Sequence, residues 1–439
     1  MKEYKFPQNL TEYIQKKWEN FIGGDYKPPP LPNEQILKYI LEVAYLVGME
    51  KEENRSLKFC LCCTPTIDSI SKQHYPKELI ETWKIKPSRE FNVQEIRRIC
   101  IGTNIINSAI WIRFSEKDKN EVEIYGLINL GPQWEQTKRA FSYRIESNPN
   151  ALIIRVENQN QIRIYQGNYL LVSLESGILQ EPIPFFMNIM FDQLVNEGLS
   201  YFSEEIFNPV LDPIKEFKEF EFIAYKNVLV AILNRIQMNR HGGTLILSGK
   251  ENDFLLSKEK IIRTKYDLSD NSAYLRTNFI NFINSRHQFA DLNYKFEKGE
   301  LTINDVKLKE FEYSITLEKL RNTCLFTGDL ANADGALIIK NDFTIMGFGT
   351  EIIMDKLKQI KVYQINDLHD YLGKEKKEFD SEQRGMRHRS AMRLCAAFSD
   401  ITAFVVSQDG TISIISQNRE GDVCIQSNIR FTNMNMVFA

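Results

Sequence analysis

One junction constrains this chain more than any other. Phe222, Tyr225, Leu229, Ile232 and Ile236 recur at helical spacing, which gives a long helix one apolar face. The pattern stops at Arg240-His241-Gly242-Gly243, where glycine permits the left-handed backbone of a helix C-terminus. Thr244-Leu245-Ile246-Leu247 follows at once, a short apolar run of strand length. Two more strand blocks lie downstream. One is Gly335-Ala336-Leu337-Ile338-Ile339; the other is Ile401 to Ser407 with Thr411 to Ile415 after the turn Gln408-Asp409-Gly410. A helix holding Ser390 to Phe398 stands between the blocks. This alternation predicts a C-terminal domain of the α+β or α/β class, with a mixed central sheet flanked by helices.

The first half reads as a separate α+β domain. Residues 1–22 suggest an amphipathic helix with Leu10, Tyr13, Ile14 and Trp18 on one stripe. A stiff connector, Pro28-Pro29-Pro30-Leu31-Pro32, precedes a second helix with Asn33 as N-cap and Ile36, Ile40, Val43 and Leu46 at helical spacing. From Leu57 to Leu179 the pattern turns to strands: Ser56–Cys62, a hairpin of Ala109–Phe114 and Val122–Ile128, then Leu152–Val156, Gln161–Tyr165 and Asn168–Leu174. Prolines at 182, 184, 209 and 213 mark the boundary, so the expected domains are 1–205 and 206–439. Within the second, about 265–310 and 355–383 read as insertions.

Composition limits the partners. The 439 residues hold 55 Lys+Arg against 58 Asp+Glu, a net charge of −3, which excludes a generalised basic field for nucleic acid. No stretch approaches the ~20 apolar residues of a membrane span. Seven cysteines, an odd number, without an apolar leader read as reduced thiols of a cytoplasmic chain. Cys60-Leu61-Cys62-Cys63 has no second ligand pair at metal spacing, so it reads as buried structural thiol.

Two segments of the second half carry chemistry. Asp334-Gly335-Ala336 opens a buried strand, which puts a carboxylate on a sheet rim. Arg387-His388-Arg389 lies just before the helix expected near Ser390, with Arg384 and Arg393 close by. Guanidinium forks match phosphate oxygens, and a helix N-terminus adds amide donors. The pair suits a polyphosphate.

Together, Asp334-Gly335-Ala336 and Gly385-Met386-Arg387-His388-Arg389-Ser390-Ala391 resemble the diadenylate cyclase (DAC) domain family, which is marked by a DGA motif and by GTRHR followed by a small residue and alanine. Tyr225 to Arg240 with Gly243 to Leu247 is similar to the opening helix and strand of that domain. The resemblance spans roughly 215–430; the N-terminal half looks like the sensor regions that accompany some DAC domains. Met386 stands where the family has threonine, removing one hydroxyl donor.

The resemblance implies a metal-dependent nucleotidyltransferase condensing two ATP into the second messenger cyclic di-AMP, with release of two pyrophosphates. It implies a homodimer or higher homo-oligomer, because each domain holds one ATP. Asp334 would bind Mg²⁺ or Mn²⁺ and help deprotonate or orient the attacking 3′-hydroxyl. Arg387 and Arg389 would hold the phosphates, and His388 would contact phosphate or orient the surroundings of Asp334. Gly335, Ala336 and Leu337 would pack on the nucleoside, with Gly385, Met386, Ser390 and Ser407 as further substrate contacts. Two alternatives stand beside this: a nucleotide-binding sensor on the same fold with impaired catalysis, and a transferase making a different dinucleotide.

Overall fold

The computed structural model describes residues 4–18, 31–66, 81–105, 107–115, 121–129, 151–167, 169–180, 183–184, 189–202, 204–206, 214–239, 241–249, 261–269, 273–353, 360–365, 377–381, 384–408, 410–418 and 420–430. The prolines at 28–30, the turn at 116–120, Asn168, Arg240, Asp409 and most of 355–383 lie outside them. The backbone divides into two compact units, Met1–Pro182 and Ile183–Phe431, each mixed α and β. The division falls before residue 205 because the helix Ile189–Ser200 packs on the long helix Ile214–Met238 of the second unit.

In the first unit, helices α1 (Gln8–Trp18), α2 (Glu34–Met49) and α3 (Val93–Cys100) accompany one sheet. Its strands are β1 (Phe59–Cys63), β2 (Glu81–Glu90), β3 (Ser108–Phe114), β4 (Val122–Asn129), β5 (Leu152–Asn158), β6 (Gln161–Gln166), β7 (Tyr169–Glu175) and β8 (Ile178–Gln180). Their order is β8-β7-β6-β5-β1-β3-β4-β2. Asn33 caps α2 as its sequence suggests, its side chain accepting from the Ile36 amide at 3.0 Å. Ile36, Ile40 and Val47 of α2 bury against Phe59, Leu61 and Ile154. Strand alternation sends Cys60 and Cys62 to the opposite face with Trp111 and Ile153. All seven cysteines are free and buried, and burial pushes the Cys60 thiol up to about 12, which makes it a poor nucleophile.

In the second unit, ten strands among the described residues form one sheet. They are β9 (Ile183–Pro184), β10 (Gly243–Ser248), β11 (Ile262–Asp267), β12 (Ala336–Lys340), β13 (Ile345–Ile352), β14 (Val362–Gln364), β15 (Lys377–Glu378), β16 (Ile401–Val406), β17 (Ile412–Gln417) and β18 (Val423–Arg430). The order is β11-β13-β12-β10-β16-β17-β18-β14-β15, with β9 beside β18. β10 pairs parallel with β12 and antiparallel with β16, so the sheet is mixed, as the alternation implies. The helices are α4 (Ile189–Ser200), α5 (Ile214–Met238), α6 (Tyr274–Glu297), α7 (Ile303–Leu330) and α8 (Met386–Ala397). Ala391, Met392 and Cys395 of α8 pack on Ile246, Ala336, Ala403 and Ile415. On the other face Phe191 of α4 meets Phe404 edge-on at 6.0 Å.

Residues 265–310, expected as an insertion, hold β11's end, all of α6 and the start of α7. α6 and α7 form a hairpin that is integral to the core. Phe279 lies 5.0 Å from both Phe202 and Phe343, and Tyr225 of α5 stacks on Phe343 at 4.4 Å.

Candidate active site

The edge where β10 and β12 begin gathers the motif residues. Thr244 pairs with Ala336 in parallel register, which sets Gly242 level with the exposed Asp334. Gly335 has φ +120°, and a Cβ there would sit 2.5 Å from the carbonyl carbon of Gly349 and 2.6 Å from the Thr350 amide nitrogen. Only glycine lets the chain pass β13 this closely. Gly242, at φ +66°, is equally confined: its Cβ would lie 2.7 Å from Val406 O and 2.9 Å from Arg387 Nη1.

That last contact links the second motif to the first. The exposed Arg387 donates from Nη1 to His241 O at 3.2 Å, across the entrance to β10. Ser407, half-buried, follows β16 into a tight turn in which its amide donates to Thr411 O at 2.8 Å. Asp334, Gly335, Arg387 and Ser407 therefore share one end of the sheet. Arg389 and Ser390 are half-buried in the first turns of α8, Met386 is 75% exposed, and Gly385 is the exposed N-cap. The Arg384 guanidinium lies 5.1 Å from the Phe379 ring centroid.

Three expectations need correction. The helix starts at Met386, so Arg387, His388 and Arg389 occupy its first turn instead of preceding it. Helical spacing then turns His388 onto the sheet with Ala391 and Met392. His388, expected to contact phosphate or to orient the surroundings of Asp334, is buried with its Nε2 3.2 Å from Ser413 Oγ on β17, so its ring braces α8 and faces away from a phosphate on the rim. Ala336 and Leu337 are 3% and 0% exposed, because their strand is paired on both sides and covered by packed elements, so they present no open surface to a nucleoside.

Beneath the rim is a cluster without a local sequence signal. Arg235 of α5 grips Asp329 of α7 with two bonds, Nε to Oδ1 at 2.7 Å and Nη2 to Oδ2 at 2.9 Å. Asn239 adds a third at 3.0 Å. The Arg235 hydrogen bonds hold the Asp329 carboxyl below its ordinary range.

Asp334 brings a single carboxylate to the rim; among the described residues no three His, Cys, Asp or Glu side chains gather into a metal-holding group. A lone carboxylate beside cationic side chains suits a Mg²⁺-type ion that takes its remaining oxygens from phosphate and water.

Residues 26–129, within the first unit, match the family described as "Probable sensor domain DACNV", a sensor type that occurs in diadenylate cyclase proteins. No curated protein matches the chain. Among the described residues no helix is long and apolar enough to cross a membrane.

Proposed function

We propose that the chain is a diadenylate cyclase whose N-terminal unit is a sensor module. The observation that carries this reading is the Arg387–His241 bond, which brings the arginine-rich turn to the strand entrance beside Asp334. The sensor-domain match at 26–129 supports it independently.

In this reading a triphosphate lies along the first turn of α8. Arg387 and Arg389 bind its oxygens and offset charge on the departing pyrophosphate. The amides after Gly385 add donors. Asp334 would hold a Mg²⁺ or Mn²⁺ ion, which would supply charge neutralisation at the phosphates. The same carboxylate orients the 3′-hydroxyl of the facing nucleotide. That oxygen attacks the α-phosphorus, the bond to the β-phosphate oxygen breaks, and pyrophosphate leaves; the hydroxyl proton passes to solvent. Two such transfers, one from each of two facing chains, close the ring of cyclic di-AMP. His388 serves by bracing α8 through Ser413.

Incubation with ATP and either metal, with products identified by mass spectrometry, tests the reading. Cyclic di-AMP is expected, and Asp334→Asn should abolish it while ATP binding persists. Absence of product with both metals over a range of protein concentrations would refute turnover. Retained ATP binding in that case would favour the nucleotide sensor, for which the exposed Met386 in place of a hydroxyl is the specific indication.

A further inference from the structure

We infer that Asp329 is the positioning residue of this rim: gripped by Arg235 and Asn239, it fixes the loop that carries Asp334. The role rests on the cyclase reading; the geometry does not. α7 ends at Leu330, and only Ala331, Asn332 and Ala333 separate it from Asp334. Whatever fixes the end of α7 therefore fixes Asp334. The helices meet at Gly328, where a Cβ would lie 2.6 Å from Arg235 Cβ and 2.9 Å from Ile232 O. Glycine there lets α7 approach α5 closely enough for the next residue to reach the guanidinium with both carboxylate oxygens. The Asn332 amide, inside the loop, donates to the Asp329 backbone carbonyl at 3.1 Å. Asp329 thus ties α5 to α7 through its carboxylate and starts the loop through its carbonyl.

The same turn of α5 reaches the opposite side of the rim. Gln237 donates to Gly410 O, in the turn that begins at Ser407. The last residues of α5 then run into Gly242, beneath Arg387. The metal-facing loop and the phosphate-facing turn accordingly share one base, and Asp329 is the element specific to Asp334.

The test uses the full chain and two readouts. Hydrogen exchange followed by mass spectrometry should show residues 331–335 exchanging about tenfold faster or more in Asp329→Ala and in Arg235→Ala, with 401–406 unchanged. The double variant should exchange no faster than either single one, because the two side chains act as a unit. Steady-state cyclic di-AMP formation should lose kcat by at least about tenfold, with KM for ATP changed by less than about threefold. Arg235→Lys, which keeps charge but not the fork, should fall between wild type and Arg235→Ala. Unaltered exchange at 331–335 would overturn the inference, as would equal acceleration at 401–406, which marks general loosening. Faster loop exchange with unchanged kcat would also overturn it. A wild-type chain that makes no product refutes the cyclase reading, and the exchange readout then decides the loop assignment by itself.

Discussion

Replacing Gly335 by alanine separates two costs that are usually confounded. A non-glycine residue at positive φ costs about 1–2 kcal/mol in backbone strain. Gly335 bears that cost at φ +120° and adds a steric one, since its Cβ would meet three backbone atoms of Gly349 and Thr350 at 2.5–2.7 Å. Backbone atoms cannot rotate aside, so β12 must shift from β13, an overpacking cost of about 1–3 kcal/mol. Alanine also restricts the unfolded chain, returning about 0.4–1 kcal/mol. The net expectation is a loss of about 2–4 kcal/mol. Gly299 supplies the control: it has φ +78° with nothing within 4 Å of the added Cβ, so Gly299→Ala carries the strain alone, about 1 kcal/mol or less after the same correction. Urea unfolding of the full chain, followed by far-ultraviolet circular dichroism, measures both. With a slope near ~3 kcal/mol per molar for a unit of this size, Gly335→Ala should lower the midpoint by about 1 M and Gly299→Ala by about a third of that or less. All four tryptophans (Trp18, Trp83, Trp111 and Trp134) lie in the first unit, so their fluorescence follows that unit alongside. A Gly335→Ala loss no greater than that of Gly299→Ala would refute the close approach of the Asp334 strand to β13.

Two further outcomes follow from buried charges. Burial raises the Glu221 carboxyl from 4.5 to about 6, with His287 Nε2 3.6 Å away and Lys218 opposing the shift. Between those values the folded chain binds more protons than the unfolded one, so this group's contribution falls as pH rises through 4.5–6 and its penalty is complete above that. Glu221→Gln should thus gain stability over wild type from pH 4.5 to 7, reaching about 1–2 kcal/mol; a pH-independent difference in Tm would contradict this. Lys226, 2% exposed, bonds Asp192 and lies 4.2 Å from the Phe222 ring centroid. Lys226→Met should cost less than ~1.5 kcal/mol and Asp192→Ala about 2–3, since the latter strands a buried ammonium. The reverse order in denaturant titration would show that the pair is not what anchors α4 on α5.

The parts of the fold legible in sequence are those with a short burial period or a short unbroken apolar run. Ile36 to Val47 of α2 buries a face at helical spacing and β4 alternates, while Thr244–Leu247 and most of β3 are apolar runs buried on both faces. α7 was obscured for a physical reason. It buries Val306, Tyr313, Leu317, Leu320 and Cys324, yet Leu308, Phe311 and Phe326 stand more than 60% exposed on the same helix and blur the stripe. β2, Glu81–Glu90, is an edge strand of mostly exposed residues that tolerates Pro87, and it offers no alternation to read. At the site, Asp334 and Arg387 were legible because each sits in a compact motif. Arg235 and Asp329 were not, because 94 positions separate the partners and neither position is unusual by itself.

α8 starts at Met386, ahead of the start near Ser390 that the sequence suggests, and the difference bears on the site. Cations at a helix N-terminus oppose the macrodipole by about 0.3–1 kcal/mol each, which favours placing Arg387 and Arg389 before the helix. Packing prevails: His388, Ala391 and Met392 bury against the sheet and draw the helix start back to Met386. No acidic residue in the first turn offsets the charge. Packing therefore places Arg387 and Arg389 at the positive pole of the helix. A ligand that carries negative charge is favoured at that pole, most of all a group that spans both guanidinium groups and the helix N-terminus. In the proposed cyclase reading a triphosphate is such a group, and Asp334 on the same rim would hold the cation that accompanies it.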